Sequence, residues 1–376
     1  MIPYGHQTID DEDIQEVIKV LKSDWLTTGP KISEFEKGIC DYVGCRYAVA
    51  VNSGTSALDI AVASLGLPAG SEVITTPFTF AATSNSLLYN NLKPVFADIK
   101  KDTRNIDPQD IKRRITPKTK AIICVDFAGH PCDIKEIKEI ADEHDFWLIE
   151  DASHAFGASY HGKKIGNFAD LTVYSFHPVK PITTGEGGAV VTNNQELAEK
   201  VRLLRSHGID KDASSRYGPD AGWAYDMKML GRNYRITDIQ AALGISQLKK
   251  IDAFIERRNE IAKLYNELLS ECEFVEIPIT KESMKHGWHI YTVLLNESVN
   301  RNELFRYMRK NDIGVNVHYI PIYHFTYYQN NFNFSANDFP ITENVFKRII
   351  TLPIYPSMKD EDVKLVVKTL KSRKGF

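Results

Sequence analysis

At 376 residues the chain exceeds what one ordinary hydrophobic core serves, and two domains are expected. Its 43% hydrophobic and 25% charged residues are those of a folded globular protein, not a disordered one. A formal net charge of −3 supplies no basic surface of the kind a nucleic acid requires, and no apolar run approaches the ~20 residues of a membrane-spanning helix, so neither partner is expected. In chain order, the first segment, Met1 to Leu26, carries Asp10, Asp11, Glu12 and Asp13 where an export signal would be basic and then apolar, so a cytoplasmic location is expected. The five cysteines, Cys40, Cys45, Cys124, Cys132 and Cys272, are odd in number and follow no zinc spacing; no metal is expected.

From about residue 35 to 245 short apolar runs alternate with helical patterns. The predicted strands are Tyr47–Asn52, Glu72–Thr76, Pro94–Asp98, Ala121–Asp126, Phe146–Glu150, Thr172–Phe176 and Ala189–Thr192, several of them apolar on both faces. A helix-covered, mostly parallel sheet requires such strands, so residues 1–247 are read as a large α/β domain. From Leu248 through Ile251, Ile255, Ile261, Leu264 and Leu268 one apolar stripe marks a long helix. A strand at Ile290–Leu295, a helix at Arg301–Asn311 and a strand at Gly314–Tyr319 come after it. Residues 248–376 are therefore read as a smaller α+β domain, joined without a flexible linker, with a ligand cleft between the two.

Three segments carry chemistry. Asn52-Ser53-Gly54-Thr55-Ser56 ends a strand and opens a helix; its free N–H groups suit an anion, although a well-capped helix needs the same residues. In Leu148-Ile149-Glu150-Asp151-Ala152-Ser153-His154 an apolar strand runs into a carboxylate, either a partner for a ligand beyond the sheet edge or an N-cap for the next segment. In Ser175-Phe176-His177-Pro178-Val179-Lys180-Pro181-Ile182-Thr183-Thr184-Gly185-Glu186-Gly187-Gly188 one lysine follows a strand end and precedes three glycines. A sheltered lysine there loses its proton easily and suits Schiff-base chemistry; on spacing alone a solvated lysine in a glycine-rich turn is the better description, since lysines in turns are common.

In this order the three segments resemble the DegT/DnrJ/EryC1/StrS sugar aminotransferases. The resemblance extends to Thr76-Pro77-Phe78-Thr79-Phe80-Ala81-Ala82-Thr83, Arg205-Ser206-His207-Gly208, Gly231-Arg232-Asn233-Tyr234-Arg235 and Val317-His318-Tyr319, nearly the whole chain. It implies the type I pyridoxal-phosphate fold and a homodimer with shared active sites. By resemblance Lys180 carries pyridoxal 5′-phosphate as a Schiff base and serves as catalytic base. Asp151 pairs with the ring nitrogen, and Gly54, Thr55 and Ser175 hold the phosphate. Asn233 reaches the partner's phosphate, and Phe80 stacks on the ring. His154 meets the ring's 3-hydroxyl, at a position where many members carry glutamine. His318 and Tyr319 bind substrate.

The His177–Ile182 run and Val317-His318-Tyr319-Ile320-Pro321-Ile322-Tyr323 are similar to the members that aminate C4 of a UDP-linked 4-keto-6-deoxy-N-acetylhexosamine, with L-glutamate as donor, in pathways of the pseudaminic acid type. Two other functions compete. Related sugar dehydratases have histidine in place of the lysine, and Lys180 argues against them. A cofactor-binding regulator would carry an added DNA-binding segment, for which no length is spare before Tyr47. A nucleotide-binding fold of the Rossmann kind would need Gly-x-Gly-x-x-Gly, and Ser53-Gly54-Thr55-Ser56 is not that.

Overall fold

The computed structural model describes residues 1–210 and 225–372. Strands β1 (Tyr47–Val51), β2 (Glu72–Thr75), β3 (Lys93–Phe96), β4 (Thr119–Val125) and β5 (Trp147–Asp151) are followed by a short hairpin, β6 (Ser159–Tyr160) and β7 (Lys163–Lys164), then by β8 (Leu171–Ser175) and β9 (Gly188–Thr192). Seven of these form one sheet in the order β1-β9-β8-β5-β4-β2-β3. Only β9 runs against its neighbours, so the carboxyl ends of β1, β4, β5 and β8 share one edge. The seven strands expected before residue 193 are all present, with ends shifted by one or two residues.

Alternation across the sheet separates two apolar layers. Ala48, Ala50, Ile122, Cys124, Leu148 and Tyr174 face a cluster with Phe35 and Ile39, from the helix Pro30–Val43, and Ile137 and Ile140, from Ile134–Glu143. Val49, Val51, Ile123, Ile149 and Val173 face the helices Gly54–Ser64 and Gln195–Arg205 through Leu58, Ala61, Leu197 and Val201. Strands apolar on both sides are the signature of a sheet covered on both faces.

The C-terminal part has its own sheet, β10 (Val275–Glu276), β12 (Tyr291–Leu295) and β13 (Ile349–Leu352), with β11 (Met284–Lys285) paired instead to β6. Its core gathers Tyr265, Val293, Leu304, Met308, Ile350 and Val366. The expected long helix is present with a shifted start: a separate helix, Asp238–Leu248, ends at the residue where it was expected to begin, and after Lys249–Lys250 it runs Ile251–Leu269. The second of these serves both cores: Ile251 and Ile255 pack under the large sheet, Ile261, Tyr265 and Leu269 in the C-terminal cluster. A division at 247/248, proposed from the sequence, assigns this whole helix to the second unit.

One expected strand is absent. Gly314–Tyr319 makes only single bridges, Ile313 to Ile2 and Asn316 to Thr351. Asn316 alone exchanges backbone bonds with Thr351, at 3.2 and 2.8 Å, and its side chain accepts the Val317 N–H at 2.8 Å.

Asp98, just past β3, fastens the parts together. Its buried carboxylate accepts the N–H groups of Ile341 and Thr342, both at 2.9 Å, and the Thr342 hydroxyl at 2.7 Å, capping the helix Pro340–Arg348. Replacing Asp98 with alanine should lower unfolding stability by about 2–3 kcal/mol, since hydrogen bonds to a charged group and a helix cap are lost together. Denaturant titration measures it.

Candidate active site

The site is assembled at the shared carboxyl edge of the sheet. Ser53, just beyond β1, caps the helix Gly54–Ser64 by accepting the Ser56 N–H at 3.0 Å. Helix geometry leaves the Gly54 and Thr55 N–H groups without intrahelical acceptors. A Cβ on Gly54 would lie 2.8 Å from that of Ser175, so only glycine lets this helix start meet the end of β8. Gly188, opening β9, would meet the Ser53 carbonyl oxygen at 2.6 Å, so that strand also presses on the turn. The structure thus brings Gly54, Thr55 and Ser175 side by side, with Thr55 exposed.

Lys180 lies in the turn that returns from β8 to β9. The turn is pinned by Lys180 N–H to His177 C=O at 2.9 Å, by Thr184 N–H and the Thr183 hydroxyl to Phe176 C=O, both at 3.0 Å, and by Gly185 N–H to the Thr183 hydroxyl at 2.9 Å. Among the described residues none accepts a hydrogen bond from the Lys180 Nζ. Desolvation pushes this amine down to about 8, while the charge of Asp151 pulls the other way. A solvated turn lysine would lack that shift.

Asp151, the last residue of β5, is buried. One oxygen accepts the Thr83 hydroxyl at 2.7 Å; the other accepts the Ser153 hydroxyl at 2.6 Å and its N–H at 3.2 Å. No cation pairs with it among the described residues. A fixed, buried carboxylate without a counter-ion is complementary to a cationic group bound beside it.

Above Asp151 lie His154 and the C-terminal part. His154 is buried; its Nδ1 lies 3.2 Å from the Ala128 N–H and its Nε2 3.0 Å from the Tyr319 hydroxyl. Burial, then the charges of Lys180 and His318, hold its imidazole well below the usual histidine range. His318 is buried against Thr351, Nδ1 to Oγ1 2.8 Å, and is pushed down to about 3 by burial and Lys180. Phe80 is 60% exposed, 6.1 Å from the Tyr319 ring, and so presents a free aromatic face where ordinary core packing would hide one. Asn233 is exposed and bridged to Ser206. Its neighbours Arg232 and Tyr234 are both tied to the buried Asp59, at 3.2 and 2.9 Å.

Sequence reasoning left out Thr83, Ser153, Ala128 and Asp59. Thr83 and Ser153 stand inside the quoted segments but have no spacing that marks them as partners of Asp151. Asp59 had a readable signal, a lone charge in an otherwise apolar helix.

A model of the DegT/DnrJ/EryC1/StrS aminotransferase family matches residues 7–371. The chain belongs to that family. The aminotransferase is 42% identical to a UDP-4-amino-4,6-dideoxy-N-acetyl-beta-L-altrosamine transaminase of Campylobacter jejuni, each chain covered in full. Its fold matches Helicobacter pylori PseC, an aminotransferase involved in the biosynthesis of pseudoaminic acid, with TM-score 0.93, 36% identity and 98% of each chain covered. It also matches the PLP-form of a putative sugar aminotransferase, Spr1654, from Streptococcus pneumoniae, with TM-score 0.92, 30% identity and 99% and 98% coverage. The type I fold expected from the sequence is thereby established, and aminotransfer is favoured over the dehydratase and regulator alternatives. No helix among the described residues is long and apolar enough to cross a membrane.

Proposed function

We propose that this aminotransferase moves an amino group from L-glutamate to C4 of a UDP-linked 4-keto-6-deoxy-N-acetylhexosamine, giving a UDP-4-amino-4,6-dideoxy sugar of the pseudaminic acid type. The cofactor is pyridoxal 5′-phosphate, and the enzyme acts as a cytoplasmic homodimer. The observation that carries the reading is the desolvated Lys180 amine, without a hydrogen-bond acceptor among the described residues, held near the buried Asp151, which forms no salt bridge among them. The residues fit the cofactor. The Gly54 and Thr55 N–H groups at a helix start, with Ser175 packed against Gly54, offer donors that suit a phosphate. Lys180 offers an amine and Asp151 a charge for a ring nitrogen.

When bound, the cofactor supplies a carbonyl carbon and a conjugated ring that accepts an electron pair. Asp151 keeps the ring nitrogen protonated. Lys180 takes the proton from the donor's α-carbon and later delivers one to C4 of the sugar, acting as base and then acid. Gly54, Thr55 and Ser175 anchor the phosphate, and Phe80 covers the ring. Asn233 of each protomer serves the other's phosphate. Two half-reactions on one lysine give ping-pong kinetics.

The test is incubation with glutamate and UDP- or dTDP-linked 4-keto-6-deoxy sugars, with mass analysis of the products. An amine in place of the ketone oxygen supports the proposal; loss of a hydroxyl without nitrogen gained refutes it. A further expectation concerns the amine. Covalent capture of pyridoxal phosphate by cofactor-free protein should rise about tenfold per pH unit and level off near 8, because the folded chain holds Lys180 lowered to about 8. A solvated lysine would level off only above pH 10. Stopped-flow absorbance tracks it, and Lys180→Ala should abolish it.

A further inference from the structure

His154 sits between two partners, and only one of them can change its role. The Ala128 backbone N–H, 3.2 Å from Nδ1, is always a donor, so Nδ1 must offer its lone pair. A neutral imidazole carries its one proton on the other nitrogen. Nε2–H therefore points at the Tyr319 oxygen, 3.0 Å away, and the Tyr319 hydroxyl can only accept there. Its own proton is left to point elsewhere.

The donor that sets this direction is held unusually firmly. Ala128 has φ 60° and ψ −1°, left-handed values that a residue with a Cβ adopts at a cost. Hydrogen bonds over-determine it. Phe127 N–H binds the Asn105 side-chain oxygen at 2.8 Å, while the Asn105 amide donates to the His130 and Pro131 carbonyls, both at 3.0 Å. From the C-terminal part, His289 N–H binds Ala128 C=O at 2.9 Å and Gly287 N–H binds Gly129 C=O at 2.8 Å. The groups that face His154 are Lys180, His318 and His289, whose ring lies 4.4 Å away. None is an anion that would favour an imidazolium, and burial keeps the ring neutral. Burial, with Asp151 next, also raises the Tyr319 phenol, so it keeps its proton.

We propose that the Ala128 N–H fixes His154 as the Nε2–H tautomer, and that this turns the Tyr319 hydroxyl proton outward to donate a hydrogen bond to a substrate oxygen. Ala128 and His154 are positioning residues; Tyr319 is the group that touches substrate. The inference rests on the aminotransferase reading of the site for what the substrate is, but the tautomer does not. The acceptor is a carbonyl or carboxylate oxygen, either the sugar ketone or a donor carboxylate.

The first measurement needs no cofactor and no turnover. Histidine-selective ¹⁵N NMR of the cofactor-free protein at pH 7, with the His154 signals assigned by their loss in His154→Gln, reports which ring nitrogen carries the proton. Protonated Nε2 with bare Nδ1 is expected; the reverse tautomer, or an imidazolium, overturns the proposal whatever the enzyme's substrate proves to be. The second measurement uses conservative rescue. Glutamine can accept from Ala128 through its oxygen and donate to Tyr319 through its nitrogen, so His154→Gln should retain kcat/KM within a few-fold. His154→Leu and Tyr319→Phe, one removing the director and one the donor, should each lose about 10- to 100-fold, as loss of one hydrogen bond to a charged or strongly polarised oxygen predicts. If folded His154→Gln is as impaired as His154→Leu, the relay is wrong. In Tyr319→Phe, a loss confined to kcat/KM for glutamate identifies the donor carboxylate as the acceptor, and one confined to the keto-sugar identifies its ketone. An unchanged kcat/KM for both overturns the proposal.

Discussion

Lys180→Arg is expected to cut turnover by at least the order of 10²–10⁴-fold, the range for losing a general acid–base group. Arginine keeps the positive charge but stays protonated at any accessible pH, so it is neither base nor nucleophile. Binding should survive, because Gly54, Thr55, Ser175 and Asp151 are held by backbone and hydroxyl contacts that do not involve residue 180. The variant should therefore still take up pyridoxamine phosphate, with near-normal affinity by absorbance titration, while single-turnover conversion of the keto-sugar is almost lost. Borohydride treatment of wild-type protein loaded with pyridoxal phosphate should label the peptide containing Lys180 and none other. A label elsewhere would remove the basis of the assignment.

Asp151→Asn is expected to separate two effects that Lys180→Arg combines. The amide keeps the shape of the carboxylate but not its charge, so nothing holds a ring nitrogen protonated. Turnover should fall on the order of 10²–10³-fold, as for removal of one preorganised electrostatic contact. Asp151 also supplies the charge that opposes desolvation at Lys180. Without it the Lys180 amine drops further below about 8, more of it is neutral at pH 7, and covalent capture of the cofactor should be as fast or faster than in wild type. Slow turnover with fast capture is not what a misfolded site gives. If capture slows in step with turnover, Asp151 is acting mainly as a structural anchor.

How legible each feature was in the sequence depends on how local its signal is. The sheet was readable because β4, β5 and β8 are buried on both sides and carry mostly apolar residues on both faces. Lys180 was not marked by its own turn, whose three glycines and two threonines suit a solvated lysine as well; it stood out only through the resemblance that joins this turn to the Asp151 and Gly54 segments. The start of the long helix was read three residues early, at Leu248, because that leucine, which ends the preceding helix, continues the same apolar spacing. Gly314–Tyr319 had the residues of a strand, but only Asn316 pairs with Thr351. Ala128 was invisible for another reason: it acts through its backbone, and an alanine in a left-handed turn has no compositional mark. Asp151 was singled out through the resemblance, yet its partner Thr83 stands 68 positions away in sequence, a distance no periodicity spans.

The Asp59 anchor bears on assembly. Its buried carboxylate binds the Asn90 amide at 2.8 Å as well as Arg232 and Tyr234, so the residues on both sides of Asn233 are immobilised within one protomer. In the proposed homodimer, the loop offered to the neighbouring phosphate is thus shaped before the subunits meet. Ordering entropy that a floppy loop would lose on association, typically ~0.5–1.5 kcal/mol per immobilised side chain, has already been lost in folding. Loosening that anchor should therefore weaken association and leave the separate protomer largely intact, so a residue remote from the chemistry would tune how much enzyme is active at a given concentration.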